Sequence, residues 1–164
     1  MDTSEKVIIG ISIYTIGSYL YTRNVKLRAL ARARFLSHDK GIVNLGAGYN
    51  HNGLARIICE LPEVVTNVDA VNEGVKLVQA NLDTDVLPFS NNQFDIAFAS
   101  HVLEHLVNWQ AALSEWNRIS DHVIIVLPAI FTVGNWTEID HKNHFLKKDV
   151  DYIKANWPKT EVYM

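Results

Sequence analysis

The chain has 164 residues and a mass of 18.6 kDa, with 48% hydrophobic residues, 20% charged residues and a net charge of −3. A chain of this length and apolar content folds as one globular domain, which excludes two full domains and intrinsic disorder. Cys59 is the only cysteine, so neither an intramolecular disulfide nor a CxxC zinc cluster can form. We therefore expect a reducing, cytoplasmic location.

The first 38 residues are apolar and then basic. No charged residue lies between Lys6 and Arg23, and residues 1–38 carry six basic and two acidic side chains. We predict a long N-terminal helix here, followed by a separate domain at 39–164. The apolar run is shorter than the roughly 20 residues of a bilayer span. Association with an anionic membrane surface, a homodimer contact, burial in the core and binding of nucleic acid all stay open for this helix.

A glycine turn follows the first predicted strand. Gly41–Leu45 is apolar and leads into Gly46–Gly48, after which Gly53–Glu60 has apolar residues at helical spacing and is predicted to be a helix. The β-branched run Val64–Val68 predicts a second strand that ends on Asp69. The pattern is strand, turn, helix, strand.

The rest of the chain continues this alternation of strands and helices. Such an order predicts an α/β fold, namely a reduced, Rossmann-like, doubly wound and mostly parallel sheet with an extra apolar and basic N-terminal helix. The further elements that we predict are strands at 75–80, 94–99, 122–127 and 160–164, a helix carrying Trp109 and Trp116, and a short helix at 147–157.

Three signals point to one ligand site, because open α/β sheets bind ligands at the carboxyl ends of their strands. The glycine turn lets the backbone approach a ligand closely, although it can also be a simple turn. Asp69 can accept hydrogen bonds from ribose hydroxyls or cap a helix. Asp83 lies in the segment 81–89 and can face an adenine amine or cap a turn.

Several short motifs make the chain similar to a known family. They are Asp83 with Leu87-Pro88-Phe89, Phe94-Asp95, and the run Ser100-His101-Val102-Leu103-Glu104-His105-Leu106. With them, the chain resembles class I S-adenosylmethionine-dependent methyltransferases, in particular a small Rossmann-like group. The resemblance covers about 41–128, and the segment 141–145 resembles an H-x-x-H-F segment of some relatives.

The resemblance implies methyl transfer from S-adenosyl-L-methionine to an acceptor that the sequence does not identify, which can be a small molecule, a lipid or a protein. Imidazoles titrate near neutral pH, so His101, and after it His144, are the preferred bases for an acceptor that must lose a proton. The cofactor-binding residues that the resemblance implies are Gly46, Ala47 and Gly48 against the methionine part, Asp69 at the ribose, Leu82 and Asp83 at the adenine, and Ser100 near the methyl group.

Three other classes of protein compete with this interpretation. The string His101–His105 matches the H-x-x-E-H pattern of inverted zinc peptidases, but it lies inside a longer methyltransferase-like run, and we expect no metal. A nicotinamide-dependent oxidoreductase would need a third glycine where His51 stands. A non-catalytic cofactor-binding or scaffold protein that associates with a membrane or a partner through its N-terminal helix stays open.

Overall fold

The computed structural model describes residues 3–48, 53–61, 74–133, 135 and 139–164. Its first element is a helix, α1, at Thr3–Leu36, which confirms the predicted N-terminal helix. The predicted strand Val64–Val68 and the acid Asp69 lie outside the described residues, as do Asn50 and His51. The boundary between 1–38 and 39–164 stays a prediction.

The described residues form parallel strands with helices between them. A single 3₁₀ turn at Leu103–His105 connects the fourth strand to the second helix. After α1 the elements are β1 Ile42–Leu45, β2 Ile57–Glu60, β3 Lys76–Gln79, β4 Phe94–Ser100, α2 Trp109–Ile119, β5 Ser120–Val126, α3 Lys147–Asn156 and β6 Thr160–Tyr163.

The strands form one sheet in the order β3-β2-β1-β4-β5-β6, and every described pair of neighbours is parallel. The chain therefore builds outward from β1 in one direction and from β4 in the other. The strand order reverses between β1 and β4, where Leu45 pairs with Ala99 near the carboxyl ends of both strands. This confirms the predicted doubly wound architecture and fixes the position at which such sheets bind ligands.

The predicted helix over Gly53–Glu60 is wrong, because its second half forms strand β2. Ile58 and Cys59 are buried next to β1, with Leu45 paired to Cys59, and burial raises the pKa of the Cys59 thiol to about 12. A short apolar run satisfies helical spacing and a doubly buried strand equally well, so periodicity alone cannot separate the two. The acid that ends the second described strand is consequently Glu60.

Different helices pack on the two faces of the sheet. Val25, Ala29 and Ala33 repeat every four residues on one face of α1 and are buried against β4 and β5. On the other face, α2 buries Leu113 and Trp116 against the core. Helices on both faces are what a parallel sheet needs, because its strands are buried on both sides.

The N-terminal half of α1 extends beyond this packing. Its large apolar side chains between Val7 and Leu20 are mostly exposed, although the hydroxyl groups of Tyr14 and Tyr21 donate hydrogen bonds to the carbonyl oxygens of Phe131 and Met164. Among the residues that the structure describes, no helix combines the length and the apolar character that crossing a bilayer requires.

A buried carboxylate holds the connection between α1 and β1. Asp95 Oδ2 accepts hydrogen bonds from the backbone N–H groups of His38, Lys40 and Gly41 at 2.6, 3.1 and 2.9 Å. Burial alone would raise the pKa of Asp95, but these three donors more than offset it and hold the pKa below its usual value. The second residue of the Phe94-Asp95 motif thus has a structural role.

We expect Asp95→Asn to lower the free energy of unfolding at pH 7 by about 1.5–3 kcal/mol, the range for hydrogen bonds to a charged group. Since the pKa of Asp95 is lower in the folded state, its stabilisation is complete above the unfolded-state pKa and disappears as the pH falls through the folded-state pKa. Urea unfolding of both proteins between pH 7 and pH 3 measures this. A difference that stays constant over this range would contradict the role of the charge.

Candidate active site at the strand switch point

A cavity of about 490 Å³ opens at the carboxyl ends of the strands, beside the point where the strand order reverses. Its volume lies within the range of about 300–1,000 Å³ that is typical of sites for small molecules and cofactors. It combines the glycine turn with residues from β2, from the loop after β3 and from the loop after β4. The lining residues used below are Gly46, Gly48, Glu60, Asn81, Leu82 and His101.

Gly46 cannot be replaced without moving its neighbour. Its φ of +65° is in the left-handed region, and a Cβ atom at this position would lie 2.5 Å from Cγ2 of Val102. The backbone of the turn therefore packs directly against the segment that follows β4. Two of the predicted cofactor residues, Gly46 and Gly48, line the cavity, whereas Ala47 between them is half-buried and is not part of the lining.

Glu60 lines the cavity but is not among the site residues predicted from the sequence. Its side chain is 5% exposed, and Oε2 accepts a hydrogen bond of 2.7 Å from the Gly48 N–H, which ties the end of β2 to the glycine turn. Oε1 accepts a hydrogen bond of 3.1 Å from the Leu61 N–H. The signal was present as an acid directly after the apolar residues 57–59, but the helical assignment of this segment concealed it.

The loop after β3 contributes Asn81 and Leu82 to the cavity, but it places Asp83 elsewhere. Asp83 Oδ1 accepts a hydrogen bond of 2.6 Å from the backbone N–H of Asn108, the residue that precedes α2. Asp83 lines a neighbouring cavity of about 400 Å³ instead. Backbone N–H groups at a helix N-terminus attract a carboxylate, which explains this position.

The remaining predicted cofactor residue on β4 is not in contact with the cavity either. Ser100 is the last residue of β4, and its hydroxyl oxygen is buried with no hydrogen-bond partner among the described residues. It does not line the cavity, although the next residue, His101, does. Of the cofactor residues predicted from the sequence, the structure therefore brings together Gly46, Gly48 and Leu82.

His101 is held in an unusual backbone conformation at the edge of the cavity. Its φ is +57°, and its N–H donates a hydrogen bond of 2.9 Å to the carbonyl oxygen of Val126 at the end of β5. His101 Nδ1 lies 3.2 Å from Oε1 of Glu104, whose side chain is fully buried. The imidazole is thus held at Nδ1 by the Glu104 carboxylate, and its side chain remains partly exposed at the cavity.

His144 is not part of this arrangement. Its Nδ1 lies 3.3 Å from the side-chain oxygen of Asn135, its side chain is exposed, and it does not line the cavity. The H-x-x-E-H string also differs from that of a zinc peptidase, because Leu103–His105 is a single 3₁₀ turn and His101 lies outside it. The two histidines of the string are therefore not placed one turn apart on a long helix.

Comparisons with known proteins agree with this fold. Residues 43–122, about half of the chain, match the sequence model of a methyltransferase domain. No curated protein matches the chain significantly in sequence. One similar solved structure is an S-adenosylmethionine-dependent methyltransferase from Thermotoga maritima, with a TM-score of 0.59 and 18% identity over 93% of this chain and 77% of that chain.

Two further structures show the same fold. One is an S-adenosylmethionine-dependent methyltransferase from Archaeoglobus fulgidus, with a TM-score of 0.59 and 14% identity over 82% of this chain and 67% of that chain. The other is the 4+2 cyclase SpnF, with a TM-score of 0.60 and 17% identity over 82% of this chain and 56% of that chain. The chain thus spans about half to three quarters of the length of these proteins. Residues 43–122 match a methyltransferase domain model, and the chain has the class I, Rossmann-like fold of S-adenosylmethionine-dependent methyltransferases.

Proposed function

We propose that this protein binds S-adenosyl-L-methionine in the cavity at the strand switch point and transfers its methyl group to an acceptor with an oxygen or nitrogen nucleophile. The observation that carries the proposal is that one cavity joins the Gly46–Gly48 turn, the Glu60 carboxylate and the His101 imidazole. These groups come from the ends of three adjacent strands, β2, β1 and β4. The methyltransferase domain match over residues 43–122 supports the same function.

The lining residues suit the parts of this cofactor. A carboxylate at the end of β2 can accept hydrogen bonds from the two ribose hydroxyl groups, and Glu60 is the described residue in that position. Leu82 offers an apolar surface to the adenine ring, and the side chain of Asn81 adds polar atoms beside it. The turn at Gly46 allows the backbone to approach the methionine part closely.

When bound, the cofactor supplies a methyl group on a sulfonium, which is already activated for displacement, so the protein's task is to align the acceptor and exclude water. In our proposal, His101 accepts the proton that the acceptor loses. If Nδ1 carries its proton toward Glu104 Oε1, the Nε2 lone pair is left to act as the base. Glu104 is then a positioning residue that fixes the tautomer. His144 is the second candidate base, and it comes after His101 because it does not line the cavity.

Calorimetric titration with S-adenosyl-L-methionine and S-adenosyl-L-homocysteine tests the cofactor site. We expect Glu60→Gln to weaken binding about 10- to 100-fold, since hydrogen bonds to a charged group contribute about 1.5–3 kcal/mol. Asp121→Asn is a matched control, because this carboxylate pairs with Lys40 at the amino end of β5. Asp69→Asn tests the ribose role that the sequence implied for Asp69.

The outcomes separate three conclusions. Loss of binding in Glu60→Gln, with normal binding in Asp121→Asn, supports the proposed site. Loss of binding in Asp69→Asn alone would assign the ribose to Asp69 instead. Tight cofactor binding without methyl transfer to any acceptor would favour a different chemistry on the same fold, which is the situation suggested by the similarity to the cyclase SpnF.

A further inference from the structure

Three side chains with metal-binding atoms converge beside the cavity. Glu104 is fully buried, and while its Oε1 lies next to His101, its Oε2 has no hydrogen-bond partner among the described residues. Among the described residues the buried Nδ1 atom of His141 also makes no hydrogen bond, whereas the Nδ1 atom of His105 faces the Asp140 carboxylate at 3.1 Å. A buried carboxylate oxygen without a partner is costly, and a cation bound beside Oε2 would remove that cost.

The backbone holds this group together. The carbonyl oxygen of Glu104 accepts hydrogen bonds from the N–H groups of Lys142 and Asn143 at 2.7 and 3.0 Å. The side chain of Asn143 donates a further hydrogen bond of 2.7 Å to the carbonyl oxygen of Leu106. These contacts dock the segment after residue 139 onto the 3₁₀ turn and bring the rings of His105 and His141 to a centroid separation of 4.8 Å.

From this geometry we propose that Glu104, His105 and His141 form a binding site for a divalent transition-metal cation. One ligand atom from each of these side chains lies within 4.8 Å of the others. A tetrahedral cation with bonds of about 2.1 Å holds its ligand atoms about 3.4 Å apart, so the three ligand atoms need to approach one another by up to roughly 1.4 Å. The Asp140 carboxylate, 3.1 Å from His105 Nδ1, adds negative charge beside the site.

The ligand types define the class of metal. Two imidazoles and one carboxylate favour Zn²⁺, Co²⁺, Mn²⁺ or Fe²⁺ over Mg²⁺ and Ca²⁺, which prefer ligand sets made of oxygen. This site differs from that of an inverted zinc peptidase, because His101 is not one of its ligands. It was not expected from the sequence. Glu104 can serve both roles, with Oε1 next to His101 and Oε2 toward the cation.

The site adjoins the proposed active site but does not depend on it. His105 and Asp140 line the cavity that also contains the glycine turn and Glu60. Metal binding can be measured without cofactor or acceptor, so a failure of the proposed methyl transfer would leave this proposal intact. Conversely, cofactor affinity can be measured in metal-free protein.

The test uses the untagged, full-length protein after treatment with a chelator. Calorimetric titration with Zn²⁺, and Co²⁺ absorption in the visible range, should show one bound cation per chain, whereas Mg²⁺ should bind far more weakly. We expect His105→Ala and His141→Ala each to weaken Zn²⁺ binding at least about 100-fold. Loss of a residue that only hydrogen-bonds to a metal ligand typically weakens metal binding by about 10- to 100-fold, so a larger loss indicates a direct ligand. His122→Ala is the matched control, because this side chain is near the amino end of β5, and it should bind as the wild type does.

Two results would overturn the proposal. One is the absence of stoichiometric Zn²⁺ and Co²⁺ binding by a wild-type protein that is folded by circular dichroism. The other is binding that His105→Ala and His141→Ala leave unchanged. Both of these histidines are only partly buried, so their variants should fold even if the fully buried Glu104 does not tolerate Glu104→Gln.

Discussion

His101→Asn should lower methyl transfer by about 10²- to 10⁴-fold, the range for loss of a general base, while changing the affinity for S-adenosyl-L-methionine by no more than about twofold. Asparagine is the suitable substitution because residue 101 has a φ of +57°, a conformation that asparagine adopts more readily than most residues. The variant therefore removes the imidazole and keeps the hydrogen bond from the backbone N–H of residue 101 to the carbonyl oxygen of Val126.

Incorporation of label from methyl-labelled S-adenosyl-L-methionine into separated small-molecule, lipid and protein fractions of a cell extract measures this transfer. His144→Asn tests the second candidate base, and His122→Asn is the control at the opposite end of the strands. If His101→Asn transfers label as fast as the wild type, His101 has no part in the reaction. A loss confined to His144→Asn would move the role of the base to His144.

Gly46→Ala should lower the free energy of unfolding by about 2–5 kcal/mol, because a left-handed backbone costs a residue with a Cβ roughly 1–2 kcal/mol and overpacking costs roughly 1–3 kcal/mol. Both terms apply here, since φ is +65° and the new Cβ would lie 2.5 Å from Val102 Cγ2. Urea unfolding of the two proteins measures the difference. The wall of the cavity should shift as well, and cofactor binding should weaken.

Gly48→Ala is the matched control for the steric part of this effect. Its φ is +54°, but a Cβ at this position would meet no heavy atom of the described residues within 4 Å, so only the backbone cost of roughly 1–2 kcal/mol is expected. In the double variant Gly46→Ala with Val102→Ala, part of the loss at Gly46 should be recovered, because the clashing methyl groups are absent. Equal destabilisation by both single glycine variants would contradict the close contact with Val102.

The local pattern of apolar residues is sufficient to predict much of the fold. Strands β4 and β5 are long apolar runs, and α2 places Leu113 and Trp116 on one helical face, so their period and length identify them. The sequence also predicted a site at the carboxyl edge of the sheet, where glycine turns after a first strand lie, and the cavity lined by Gly46 and Gly48 is at that edge. The strand-edge argument applies to the Gly46–Gly48 turn, whereas Leu82 and His101 followed from the resemblance to methyltransferases.

Short or ambiguous segments could not be assigned without tertiary contacts. The apolar run that ends at Glu60 fits a helix or a strand, and only its pairing with β1 decides between them. Asp83 is in the expected loop, but the N-terminus of α2 attracts its carboxylate away from the cavity. The apolar character of α1 likewise does not predict which part of the helix packs against the sheet. In the structure, the sheet buries the face that carries Val25, Ala29 and Ala33.

The sequence by itself determined the order of most strands and helices, the glycine turn and the resemblance to class I methyltransferases, because these depend on residues that are close along the chain. Only the tertiary structure decided that Glu60 faces the turn and that His141 joins Glu104 and His105. Those contacts connect residues far apart in sequence through strand pairing and through backbone hydrogen bonds to the Glu104 carbonyl oxygen. Long-range pairing of this kind leaves no periodic signal in the sequence, since it depends on how the whole sheet is assembled.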